Sequence, residues 1–154
     1  MAAPLSEEAR RLFRAPVFAI LSTVSAEGAP QSSVIWVRQD GDDLLFSTIR
    51  GRLKTRNMER NPRVSLCAYD PDDPYVYAEV RGTVMLSEEG GLDLIDELSR
   101  AYDGKPWRPR PDETRLVARV TPTRVIERVA SQSRRRAGQP GGRAAPPADS
   151  PEPP

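Results

Sequence analysis

The residues best suited to chemistry lie between Phe46 and Leu66, in the stretch FSTIRGRLKTRNMERNPRVSL. Six basic side chains accompany one acid there, so the local net charge is +5 in a chain whose total is +1. Two hydroxyl residues, Ser47 and Thr48, come directly before a glycine turn, and the basic run follows it. Backbone N–H groups at a helix start, together with Arg or Lys side chains, bind phosphate. The stretch is therefore a candidate phosphate site, and the alternative is a solvated basic helix.

The composition argues against several other kinds of site. The sequence contains no histidine, which removes the usual metal sites and Ser-His-Asp catalysis. The single cysteine, Cys67, lies in an apolar run and is interpreted as a buried small hydrophobe in a reducing compartment. We therefore predict no catalytic side chain and no metal site. No apolar run is long enough for a membrane span or a signal peptide, so we expect a soluble cytoplasmic protein without membrane contact.

The elements that must position the basic stretch are mainly strands. Period-two patterns and turn residues predict six strands, joined in an antiparallel barrel that is closed or split. Short helices are predicted after Ser6, after Gly51 and from Ser87 to Tyr102. The fold class is thus mainly β with short helices (α+β). The predicted strands cover residues 17–24, 31–38, 44–48, 63–69, 75–86 and 114–129.

The fifth predicted strand is long, and its pattern separates two faces. Val76, Ala78 and Val80 alternate with Tyr75 and Tyr77, so the apolar set should face the core and the tyrosines should face outward. A glycine within this strand, at position 82, predicts a bulge or a close backbone approach. The outward tyrosines suit contact with a second chain.

Composition changes near the C-terminus. From Ser131 onward the chain has almost no large apolar residue and is rich in Arg, Pro and Ala, which is typical of disorder. We therefore predict a folded domain over residues 1–130 and a disordered tail over 131–154. The folded part carries a net charge of about −1 and few aromatic residues, which argues against a nucleic-acid partner.

The chain resembles the split β-barrel flavin and deazaflavin oxidoreductases, the superfamily of pyridoxamine 5′-phosphate oxidase. The likeness is greatest to the group that uses coenzyme F420. The resemblance implies a six-stranded antiparallel split barrel of the FMN-binding type, paired as a homodimer with the cofactor in a groove between the chains. The matching segments are, in order, FAILSTVSAEGAPQSSVIWV, LLFSTIRGRLKTRNMERNPRVSL, DPDDPYVYAEVRGTV and LSRAYDGKPW.

The resemblance also assigns residues to the cofactor phosphate and to the polyglutamate tail that F420 carries and FMN lacks. Ser47 and Thr48 would donate hydrogen bonds to the phosphate. Arg52 and Lys54 would neutralise it. The carboxylates of the tail would be reached by Arg50 and Arg56.

The cofactor ring would lie along the second strand. Trp36 has barrel packing as an alternative role, and Tyr75 and Tyr77 would approach the ring from the partner chain or serve dimer packing alone. Tyr102, Gly104 and Trp107 are assigned to structure. The residues predicted on the second strand are Gln31, Ser32, Ser33, Val34 and Trp36.

The implied function is an F420-dependent reductase that transfers a hydride to a small electrophilic substrate, because such a cofactor carries the chemistry itself. Two alternatives stay open. One is an FMN-dependent oxidoreductase on the same barrel, and the other is a non-catalytic protein that binds a cofactor. The sequence does not identify the substrate.

Overall fold

Short β runs separated by turns form one antiparallel sheet of seven strands, not the six predicted. The computed structural model describes residues 1–129, and the predicted tail over 131–154 lies outside the described residues. The elements in chain order are α1 (Glu7–Leu12), β1 (Phe18–Val24), β2 (Pro30–Trp36), β3 (Arg38–Asp40), β4 (Asp43–Ile49), α2 (Leu53–Arg60), β5 (Arg63–Asp70), β6 (Asp73–Ser87), α3 (Gly91–Asp103) and β7 (Arg115–Arg128).

The additional strand arises at Val37, where the sheet closes. The strand order is β2-β1-β5-β6-β7-β4-β3, so β2 and β3 lie at opposite edges although only Val37 separates them in sequence. The two edges must therefore curl towards each other, which gives the split barrel. The prediction of one strand over residues 31–38 was wrong at its end, because β2 stops at Trp36 and a new strand, β3, begins at Arg38.

Tyr102 stabilises this closure from α3. The backbone N–H of Val37 donates to the Tyr102 hydroxyl at 3.0 Å. The same hydroxyl donates to the carbonyl of Val17 at 2.6 Å. Buried backbone groups that leave a sheet need such partners, and the structural role predicted for Tyr102 follows from these two contacts.

The sheet has one apolar cluster on each side. The barrel interior is filled by fully buried side chains such as Leu21, Phe46 and Leu66. On the outer face, α3 lays Leu94 and Leu98 against Leu45 of β4. Burial of this apolar area is the main stabilising term for both clusters. The second cluster fixes α3 beside β4 and β7.

The start of α3 differs from the prediction. Ser87 still pairs with Val117 as the last residue of β6, so the helix cannot begin there. Gly90 is the N-cap, with φ 77°, and the helix starts at Gly91. A Cβ on Gly91 would lie 2.2 Å from the carbonyl oxygen of Arg115. Glycine therefore allows the first turn of α3 to contact the start of β7.

Three other predictions are confirmed by the fold. Ser6 caps α1 by accepting a hydrogen bond from the backbone of Ala9. The register of β6 and β7 shifts between Arg81 and Gly82, as expected for a bulge. The apolar set on β6 is buried, whereas Tyr75 is 63% exposed.

Within residues 1–129, no helix has the length and apolar character needed to cross a membrane.

Candidate functional site

A pocket of about 260 Å³ opens on the outer face of the sheet, beside α3. Its wall combines apolar and aromatic side chains with three cations and one hydroxyl. The contributing elements are β2, β4, the start of α2, α3, the loop after α3 and the start of β7. The lining residues are Val34, Ile35, Trp36, Ser47, Arg52, Lys54, Ile95, Leu98, Trp107 and Arg115.

Ser47 and Thr48 lie on opposite faces of β4, because consecutive strand residues alternate. Ser47 pairs with Val117 and lines the pocket. Thr48 points into the barrel, where it is 1% exposed and its hydroxyl lies 2.8 Å from that of Thr55. The Thr55 proton is donated to the carbonyl of Ile49, so Thr48 is the donor in this pair. The geometry thus supports only Ser47 as a ligand contact.

The Ser47 hydroxyl is buried, and within residues 1–129 its oxygen atom has no hydrogen-bond partner. Buried polar atoms in folded proteins are nearly always paired. An unpaired donor on a pocket wall is therefore a position that a ligand acceptor would satisfy.

The start of α2 supplies the cations. Gly51 turns the chain with φ 87°, and Arg52 follows as the N-cap, with no side-chain cap and no acid in the first helical turn. Cations at a helix N-terminus are electrostatically unfavourable, whereas anions there are stabilised. In α1, by contrast, Ser6 caps a first turn that carries two glutamates. The α2 terminus therefore suits a bound anion.

Lys54 is the cation of α2 most restrained by its surroundings. It is half-buried, and its Nζ donates to Ser33 Oγ at 3.0 Å. Burial lowers the pKa of Lys54, and repulsion from Arg52 lowers it further. An anion between these two side chains would offset both effects.

Arg115 and Trp107 complete the pocket wall, and sequence reasoning missed both as residues of this wall. The Arg115 guanidinium lies 4.5 Å from the ring centroid of Trp107. Trp107 was assigned to structure, and its backbone N–H does donate to Asp96 Oδ1 at 2.8 Å. The period-two pattern of the last strand could have shown on which face of the sheet Arg115 lies. That pattern could not show that Arg115 pairs with Ile49, beside the basic turn.

Trp36 serves packing and pocket together. Its ring stacks on Tyr102 at 5.2 Å with an interplanar angle of 17°, and it also lines the pocket. Val34, two residues earlier, is 64% exposed. Both lie on the edge strand β2, which pairs with β1 on one side. The open side of an edge strand presents backbone donors and acceptors.

Several predicted residues lie outside the pocket wall. Arg50 pairs with Glu88, and Arg56 is exposed and donates to the carbonyl of Gly51 at 2.6 Å. Gln31 faces the interior, where it accepts a hydrogen bond from Thr23. Ser32 is exposed and hydrogen-bonded to Ser22. Ser33 is hydrogen-bonded to Lys54. Tyr75 and Tyr77 lie on the outward face of β6.

The lining residues determine what the pocket can do. Arg52, Lys54 and Arg115 provide positive charge, Ser47 provides a donor, and the remaining wall is apolar or aromatic. No Asp, Glu or His belongs to the wall formed by the described residues. The arrangement suits a flat ligand with an anionic group, and it provides no carboxylate or imidazole for proton transfer.

Comparison with known proteins gives the same fold. The family described as pyridoxamine 5′-phosphate oxidase matches residues 5–129. An F420 reductase of known structure is 34% identical, with a TM-score of 0.71, over 80% of this chain and 98% of that one. A conserved hypothetical protein from Mycobacterium tuberculosis is 17% identical, with a TM-score of 0.69, over 94% of each chain. General stress protein 26 from Bacillus anthracis is 22% identical, with a TM-score of 0.62, over 79% of this chain and 91% of that one. The last two similarities, at 17% and 22% identity, show the fold alone.

Proposed function

The chain belongs to the pyridoxamine 5′-phosphate oxidase family, whose members are split-barrel oxidoreductases that bind flavins, and we propose that it is a coenzyme F420-dependent reductase. The observation that carries the proposal is the juxtaposition of Ser47, Arg52 and Lys54 on one pocket wall. Similarity to an F420 reductase at 34% identity favours the deazaflavin over FMN. The substrate would be a small electrophilic molecule.

The residues present fit a phosphate-bearing cofactor. Ser47 offers an unpartnered donor within the described part of the chain, and Arg52 and Lys54 offer charge at the N-terminus of α2. Trp36 and the exposed Val34 provide an apolar surface for a flat ring. Backbone groups on the open edge of β2 would meet the polar edge of the ring.

A bound deazaflavin supplies the hydride, and the protein's part is to bind and orient it. Arg52, Lys54, Trp36 and Leu98 all line the pocket; the two cations would hold the anionic end, and the two apolar side chains would shield the ring end from water. The wall formed by the described residues holds no carboxylate or imidazole, and a hydride-transfer cofactor carries the chemistry without one. Arg50 and Arg56, both exposed near the turn, are proposed to contact the anionic tail of F420.

Titration of the purified protein with F420 and with FMN, followed by fluorescence, tests the proposal. We expect saturable binding of F420 at micromolar concentration or below, with weaker binding of FMN. The alternative of an FMN enzyme is favoured by the family match itself, and tighter binding of FMN would establish it. Binding of neither cofactor would refute both. Binding of F420 without turnover of a panel of enones and quinones would indicate a cofactor-binding protein instead.

The second proposal is a homodimer that uses the outer face of β1 and β2. Phe18 is 58% exposed and Ile20 is 38% exposed, and in the register they pair with Trp36 and Val34. These neighbours form a continuous apolar surface beside the pocket, and exposed patches of this kind mark interfaces. We propose a second copy of the chain as its occupant, with Tyr75 and Tyr77 of each chain approaching the partner's cofactor.

Light scattering of wild-type protein and of Phe18→Glu tests the dimer. A stable dimer should bury roughly 1,600 Å² in total. We expect a dimer for wild type and dissociation for Phe18→Glu. A monomer that still binds cofactor would exclude the proposal.

A further inference from the structure

Three residues of the pocket wall each hold a buried donor that has no hydrogen-bond partner among the described residues. The donors are Ser47 Oγ, Trp107 Nε1 and Arg115 Nε. All three residues line the same pocket. A buried donor left unpaired is costly, and native structures keep few of them. Their presence on one pocket wall therefore favours a ligand that carries several acceptor atoms.

Arg115 is held firmly in place, although its Nε–H has no partner within the described part of the chain. Its side chain is only 9% exposed. The guanidinium stacks on the ring of Trp107, and Nη2 donates to Glu113 Oε2 at 3.1 Å. Stacking fixes the plane of the guanidinium, and Glu113 occupies one side of it. The Nε–H is left to another acceptor.

The charges around Arg115 are poorly balanced. Burial lowers the pKa of Arg115, and the positive charges of Arg52 and Arg110 lower it further, against the opposing effect of Glu113. Glu113 is also shared with Arg110, at 3.6 Å. Arg52 thus repels both Arg115 and Lys54, and all three cations line the pocket. A bound anion would relieve this repulsion.

We propose that Arg115 is a third cation for the ligand phosphate, with its Nε and the indole N–H of Trp107 donating to phosphate oxygens from β7 and the loop before it. Arg52 and Lys54 act on the same group from the start of α2. The inference rests on the proposed function, because it takes the ligand to be a phosphate-bearing cofactor. It makes the site depend on two segments about sixty residues apart, of which only the first belongs to the basic stretch.

Binding by Arg115→Gln, compared with wild type, tests the role of the charge. The ligands form two pairs: FMN and riboflavin, which differ by the phosphate group alone, and F420 and its deazariboflavin, which lacks both the phosphate and the anionic tail. Loss of a charge-assisted contact should weaken the phosphate-bearing member about ten- to a hundred-fold and the phosphate-free member by less than about two-fold. Arg124→Gln is the control, because Arg124 is an exposed arginine on the same strand. It should leave all affinities unchanged.

Two further variants distinguish hydrogen-bond donation to the ligand from the packing of Arg115 on Trp107. Trp107→Phe keeps an aromatic ring beneath Arg115 and removes the N–H, so it should reduce the preference for the phosphate-bearing ligands. Arg115→Lys keeps the charge and loses the planar stack, so it should bind them with intermediate affinity. A merely structural Arg115 would instead weaken both members of each pair equally, together with a lower melting temperature.

Equal losses within each pair, or no loss in Arg115→Gln, would overturn the inference while the proposed function stands. Unchanged phosphate preference in Trp107→Phe would overturn the part of the indole. If wild type binds neither cofactor, the proposed function fails, and calorimetry with inorganic phosphate decides about Arg115. Phosphate binding that Arg115→Gln abolishes would support the inference. Equal phosphate binding by wild type and Arg115→Gln, or no phosphate binding by wild type, would refute the inference.

Discussion

The adjacent hydroxyls of Ser47 and Thr48 should respond oppositely to removal, because only one of them faces the pocket. Ser47→Ala removes a buried hydroxyl that has no partner in residues 1–129. Thr48→Val replaces a buried hydroxyl, bonded to Thr55 at 2.8 Å, by a methyl group of similar size. The first change should stabilise the ligand-free protein and weaken cofactor binding. The second should destabilise the protein and leave binding unchanged.

The magnitudes follow from the state of each hydroxyl. An unsatisfied buried hydroxyl costs about 1–3 kcal/mol, and Ala recovers part of this, so we expect the free energy of unfolding to rise by about 1 kcal/mol. A paired hydroxyl contributes about 0.5–1.5 kcal/mol, so Thr48→Val should lower that free energy by about 1 kcal/mol. In a domain of this size each change shifts the melting temperature by about 4 °C. Loss of a hydrogen bond to a charged phosphate should weaken binding about ten-fold or more.

Urea unfolding without ligand and fluorescence titration with F420 measure the two effects separately. The wild-type protein and both variants are compared at the same pH and salt concentration. The reasoning fails if Ser47→Ala lowers stability, since the hydroxyl then has a partner in solution. It fails equally if Thr48→Val weakens cofactor binding as much as Ser47→Ala does.

Three other predictions concern Lys54, Arg56 and Gly82. Lys54→Ala should weaken F420 binding about ten- to a hundred-fold, whereas Arg56→Ala on the same helix should cost less and lose its effect at high salt; equal, salt-independent losses would argue against separate roles. F420 binding should weaken as pH rises and Lys54 loses its proton. Because the pKa of Lys54 is lowered, this loss should begin at a lower pH than it would for an exposed lysine. Lys54→Arg should abolish it. In the ligand-free protein, Lys54 keeps its proton to a higher pH in the unfolded state than in the folded state. The free energy of unfolding should therefore rise with pH over the same range. Gly82→Ala should destabilise the fold by about 1–3 kcal/mol in urea unfolding, because its Cβ would lie 2.4 Å from the carbonyl oxygen of Thr121, and an unchanged midpoint would contradict this.

Strand identity and the cluster of cations at the start of α2 were predictable because they depend on local patterns. The alternation of Val76, Ala78 and Val80 gave the buried face of β6, since side-chain direction in a strand has period two. The glycine turn and the cations at the start of α2 were visible for the same reason. They lie within a few residues of each other in sequence. That period also separates Ser47 from Thr48, although the sequence interpretation treated the two as equivalent.

The sequence determined which segments are extended, which residues bend the chain and where positive charge accumulates, because each depends on neighbours within about one turn. Only the tertiary structure decided how the sheet closes and what completes the pocket. Val37 leaves one edge of the sheet and joins the other, a change that no local pattern marks. Arg115 reaches the pocket because β7 pairs with β4 and Gly91 lets α3 pack against its backbone. Those contacts join residues more than twenty positions apart, and they are selected by packing of the whole barrel.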